Sequence, residues 1–98
     1  MKREEAIQIV RKHQQELTNT YGVRSLAIFG SVARDEASSP SSDIDILVEF
    51  NRPVGLFGLF ALQDRLEELL GCKVDLGTPD SIKPRLRQTI MEDLVYVS

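Results

Sequence analysis

The 98 residues contain a single cysteine, Cys72, and a single histidine, His13. A lone thiol cannot close an internal disulfide, and Cys72 has no partner for metal or nucleophilic work. A reducing cytoplasm is therefore the expected setting. No apolar run approaches the ~18 residues of a membrane helix, which excludes that kind of span. The start, Met-Lys-Arg-Glu-Glu, leads into an amphipathic pattern rather than the apolar core of a signal peptide. Internal repeats, low-complexity tracts and linker-like stretches are all lacking, so one domain over residues 1–98 is expected. Positive charge is not in excess either. Twelve basic residues against 15 acidic ones give a net charge of −3. That argues against direct nucleic-acid binding through a basic face, but it leaves room for a nucleotide in a local positive pocket.

The composition, 42% hydrophobic and 28% charged, is that of an ordinary globular protein. Residues 3–19 carry Ala6, Ile7, Val10 and Leu17 at helical spacing, and Gly22 is suited to the left-handed closure of that helix. His13 lies at the edge of the stripe and receives no role. Val23–Phe29 reads as a strand broken by Gly30, followed by one or two helical turns over residues 31–36. A polar loop with Pro40 leads to a second strand, residues 43–50. Leu59, Leu62, Leu66, Leu69 and Leu70 mark a helix over Leu56–Leu70, stopped by Gly71. Residues 73–76 form a short third strand. Ser81 reads as the N-cap of a last helix carrying Ile82, Leu86, Ile90 and Leu94, with Pro84 in its first turn. The order α-β-α-β-α-β-α predicts an α/β (α+β) fold, a small mixed sheet with helices packed on it. Leu56, Phe57 and Phe60 are expected to pack largely into the core, any exposed part suiting a partner or homo-oligomer contact. Lys83, Arg85 and Arg87 give the last helix a basic start that could face phosphates or a partner, with a solvated face the better reading.

Chemistry concentrates between Leu26 and Phe50. Side chains alternate along a strand, so Asp43 and Asp45 point the same way, roughly 6.6 Å apart. Two carboxylates on one face repel unless a cation lies between them or one takes a proton. Hard oxygen ligands with nothing soft nearby select magnesium or manganese. On its own an Asp-x-Asp is a weak motif. Three neighbours strengthen it: Gly30-Ser31, whose unpaired backbone amides would suit an anion; Asp75, unusual in the middle of an apolar strand; and Arg34, one turn beyond Gly30-Ser31.

Phe29-Gly30-Ser31-Val32-Ala33-Arg34, Ser42-Asp43-Ile44-Asp45-Ile46-Leu47-Val48, Lys73-Val74-Asp75-Leu76 and Ile82-Lys83-Pro84-Arg85-Leu86 together resemble the nucleotidyltransferases of the DNA polymerase β superfamily. They are most similar to the minimal nucleotidyltransferases, the antitoxin half of HEPN/MNT toxin–antitoxin pairs. The eleven residues 32–42 between Gly-Ser and the first aspartate are one more than the common family spacing, an addition in a loop where length is tolerated. The resemblance implies a polymerase β palm-like fold. It implies a catalytic and metal-binding set of Asp43, Asp45 and Asp75 for two magnesium ions. Gly30, Ser31 and Arg34 would bind the phosphates of ATP. The implied reaction is AMP transfer to a tyrosine of a HEPN-domain RNase toxin. A binding-only antitoxin, or transfer to a small molecule, are the alternatives.

Overall fold

A computed structural model of the protein describes residues 2–33 and 43–97. Two helices, α1 (Arg3–Lys12) and α2 (Gln14–Tyr21), precede strand β1 (Val23–Phe29) and the short helix α3 (Gly30–Ala33). Strand β2 (Ile44–Phe50), helix α4 (Leu56–Leu70) and strand β3 (Val74–Gly77) follow. A 3₁₀ turn (Pro79–Ser81), helix α5 (Pro84–Asp93) and strand β4 (Val95–Tyr96) complete the chain.

The strands form one mixed sheet in the order β3-β2-β1-β4. Strand β1 runs antiparallel to both β2 and β4, and β3 lies parallel to β2 at the edge. Alternation along the strands separates the two faces. Leu26, Ile28, Ile44, Ile46, Val48 and Val74 point to one side, where they join Ala6, Ile7, Val10 and Leu17 of the first two helices and Leu62, Leu66 and Leu70 of α4 in a buried cluster. Fully burying each large aliphatic side chain stabilises the fold by roughly 1.5–3 kcal/mol, so this helix–sheet layer is the main source of stability. Phe29, Asp45 and Asp75 belong to the opposite face, which α5 partly covers.

In secondary structure, three features depart from the sequence expectation. The first helix is two. The His13 Nδ1–H donates to the Ile9 carbonyl at 3.0 Å, while the His13 backbone N–H turns to the Val10 carbonyl at 3.1 Å. The side chain has replaced the regular backbone donor, so the helix breaks there. The last helix starts at Pro84, not beside Ser81. A residue before proline is pushed out of the helical region, and Lys83 is accordingly extended (φ −63°, ψ 137°). Ser81 instead closes the 3₁₀ turn, its hydroxyl accepting from the Thr78 N–H and donating to the Thr78 carbonyl. Finally, Leu94 is not helical. It is extended and leads into β4, which the sequence reading did not anticipate; the Val97 N–H donates to the Leu26 carbonyl at 2.8 Å. Helices α2 and α4 both close on left-handed glycines, Gly22 and Gly71, as expected.

Leu56, Phe57 and Phe60 do not enter the core. They are 64%, 91% and 51% exposed. Helix α4 has one buried stripe, Leu62, Leu66 and Leu70, and these three residues lie off it at the N-terminal end. Among the described residues no helix is long and apolar enough to cross a membrane.

Candidate active site

The edge strand β3 carries Asp75, and its position is fixed from both sides. Toward β2, the Ile44 N–H donates to the Lys73 carbonyl at 3.0 Å. On the outer side, the Val74 N–H donates to Glu67 Oε2 and the Val74 carbonyl accepts from Gln63 Nε2, both at 3.0 Å. Helix α4 thus satisfies backbone groups that an edge strand would otherwise leave open. The register that results sets Asp45 directly beside Asp75, and β1 sets Phe29 beside Asp45. Neighbouring strands are ~4.8 Å apart, so Asp45 and Asp75 are brought together by the ladder itself.

Asp43 sits exposed immediately ahead of β2. Asp45 is half-buried, and its carboxylate occupies the space in front of Gly30. A Cβ on Gly30 would fall well inside 3.0 Å of Asp45 Oδ2, a separation that real Cβ atoms essentially never show. Gly30 also has a φ of 76°, in the left-handed region that favours glycine. A side chain here would adopt a strained backbone conformation and would displace the Asp45 carboxylate. Helix α3, which begins at Gly30 and includes Ser31, is tied down at its far end: Arg3 Nη1 donates to the Ala33 carbonyl at 3.1 Å. Arg34 lies outside the described residues.

Beneath α5 the two carboxylates open into a cavity of about 340 Å³. Its polar lining is Asp45, Asp75, Ser81 and Lys83; Phe29, Leu76, Ile82, Leu86 and Ile90 supply an apolar wall. The sequence reading missed this wall; Lys83, expected on a solvated face, is exposed and also lines the cavity. The signal was available in Lys83-Pro84: proline fixes an extended Lys83 at the mouth of the last helix. Arg87, by contrast, is spent on the fold, its Nη2 donating to the Pro79 carbonyl at 3.3 Å.

Like charges directly across a ladder are destabilising, and a divalent cation turns that repulsion into attraction. The donor set of Asp45 and Asp75 is purely hard oxygen, and glycine leaves the carboxylate room, so these residues fit magnesium. Among the described residues no group of three or more His, Cys, Asp or Glu side chains gathers closely enough to form a complete protein-built coordination shell. Magnesium does not require one, because it keeps several waters and substrate phosphate oxygens alongside one or two carboxylates. Cys72 is no alternative nucleophile: burial raises the pKa of its thiol, and the charges of Asp43 and Glu67 push it the same way.

The family described as nucleotidyltransferase domain matches residues 7–97. The protein adenylyltransferase MntA of Thermococcus cleftensis is 40% identical over 94 residues, covering 96% of this chain and 94% of that one. A Methanocaldococcus jannaschii protein with the provisional name protein adenylyltransferase is 47% identical over 91 residues, 92% of each chain. Among solved structures, one provisionally described as a minimal nucleotidyltransferase superposes with a TM-score of 0.78 at 34% identity, covering 97% of this chain and 95% of that one. A Shewanella oneidensis complex of a tri-AMPylated HEPN toxin with its MNT antitoxin has a TM-score of 0.68 at 19% identity, covering 98% of this chain and 71% of that one, a likeness of fold. The chain belongs to the nucleotidyltransferase domain family, among the minimal nucleotidyltransferases that include the MntA protein adenylyltransferases.

Proposed function

We propose that this protein is a magnesium-dependent adenylyltransferase that moves AMP from ATP to a tyrosine of a HEPN-domain RNase toxin, silencing it as the toxin's antitoxin in the cytoplasm. The observation that carries the reading is the side-by-side placement of Asp45 and Asp75, with the Asp45 carboxylate seated against Gly30. The similarity to MntA supports a protein as acceptor.

In this reading Asp43, Asp45 and Asp75 hold the magnesium. When bound, the metal would neutralise charge on the attacking and leaving oxygens. Gly30 and Ser31 present backbone amides to the phosphates, with Arg34 as a neighbouring cation. Asp75, on the exposed edge strand, orients the acceptor hydroxyl and accepts its proton. Asp45, half-buried and held against Gly30, is positioned before substrate arrives, which spares reorganisation during the reaction.

The test is the mass of a HEPN-type partner after incubation with ATP and magnesium, beside a reaction using Asp43→Ala/Asp45→Ala. A gain of one AMP or a small whole multiple, absent with the double variant, is expected. No gain, together with a stable complex and a silenced partner, would replace transfer with inhibition by binding alone.

A further inference from the structure

We infer that Lys83 is the residue that holds the pyrophosphate portion of the nucleoside triphosphate in this site. The inference rests on reading the site as one of nucleotidyl transfer. Lys83 is the one cation among the described residues that line the cavity shared with Asp45 and Asp75. Asp45 and Asp75 line the strand side and the exposed Lys83, just ahead of α5, lines the other, so residues of opposite charge border a single space of about 340 Å³. That volume is at the lower end of small-molecule pockets.

The Lys83 ammonium has no ion pair or hydrogen bond among the described residues, even though both carboxylates line the same cavity. An ammonium kept for folding would close onto one of them. One that stays apart keeps its own charge for an anion. Its backbone is nevertheless fixed. Pro84 holds it extended, and the preceding turn is pinned by the Ser81–Thr78 bonds and by Arg87 on the Pro79 carbonyl. The anchor is rigid and the charged end is available.

The chemistry gives that charge a task. The acceptor oxygen bonds to the α-phosphorus and its proton passes to Asp75. The bond from the α-phosphorus to the oxygen bridging the β-phosphate breaks, and that electron pair leaves with pyrophosphate. A cation beside the β- and γ-phosphates stabilises the charge that grows there.

The experiment is calorimetric binding of ATP, AMP and inorganic pyrophosphate, with and without magnesium, to the wild type, Lys83→Met, Lys83→Arg and Arg85→Met. A charged hydrogen bond of this kind is worth about tenfold to a hundredfold in affinity. The expected result is a loss of that size for ATP and pyrophosphate in Lys83→Met, little change for AMP, and recovery in Lys83→Arg. Arg85→Met removes an exposed charge that does not line the cavity and should stay within about twofold. Pyrophosphate binding unchanged in Lys83→Met would overturn the inference, as would equal losses for AMP and ATP. Wild type that binds ATP and pyrophosphate but modifies no partner would sink the transfer reading while the Lys83 contact remained measurable. Wild type that binds neither would overturn both.

Discussion

Replacing Gly30 with alanine tests two consequences of the site at once, and Gly71→Ala separates them. Both glycines are left-handed, with φ of 76° and 71°, so either alanine adopts a conformation that costs an L-residue roughly 1–2 kcal/mol. In a domain of this size each kcal/mol lowers Tm by roughly 4–8 °C. A Cβ at Gly71 meets nothing within 4 Å, whereas at Gly30 it meets the Asp45 carboxylate. Backbone strain is therefore common to both variants, and displacement of Asp45 belongs to Gly30→Ala alone. Thermal unfolding followed by circular dichroism should show similar drops of about 5–15 °C, somewhat larger for Gly30→Ala. Transfer of AMP, assayed well below both transitions, should survive in Gly71→Ala and fall sharply in Gly30→Ala. Equal activity in the two variants would refute the claim that the seat of Asp45 against Gly30 matters to the reaction.

Two further outcomes follow from the core and from the charges. Leu66, fully buried between α4 and the sheet, should cost about 2–5 kcal/mol on truncation to alanine, while Phe57→Ser, at a position 91% exposed, should change stability by less than about 0.5 kcal/mol in denaturant titrations. Glu16 accepts from Arg65 Nε at 2.6 Å and Nη2 at 2.9 Å, and this bonding holds its pKa below the ordinary 4.5. A depressed carboxylate adds stability above its unfolded value and loses it as pH falls through the folded one. Glu16→Gln should thus lower Tm at neutral pH, and the gap should close on acidification below about 4.5, as thermal melts across that range will show. Both side chains are partly exposed, so added salt should narrow the neutral-pH gap.

The sheet and its helical layer were legible because periodicity reports burial. Val23–Phe29 and Leu56–Leu70 have the bounds their patterns predict, and Ile44, Ile46 and Val48 are all buried, as alternation from Asp45 requires. Local chemistry decided what was not legible. A side-chain hydrogen bond at His13 divided the first helix, and proline moved the start of the last one. Strand β4 is only two residues long and is called into existence by its partner β1, a tertiary effect that no local pattern carries. The site was legible by residue type more than by place. Spacing put Asp43 and Asp45 on one face, but only the parallel register of β3 brings Asp75 beside Asp45. The cavity wall of Ile82, Leu86 and Ile90 arises because α5 packs over the carboxylate face, which periodicity alone does not say. The exposure of Phe57 shows the limit of reading large apolar residues as core.

The most direct test of the account is the rate of AMP transfer to a HEPN-type partner by Asp75→Asn. Asp75 is exposed on the edge strand, so the amide should leave the fold and its Tm intact. The account predicts a loss of about a hundredfold or more in transfer from ATP, because the register makes this carboxylate the partner of Asp45. A folded Asp75→Asn protein that modifies its partner at the wild-type rate would contradict it.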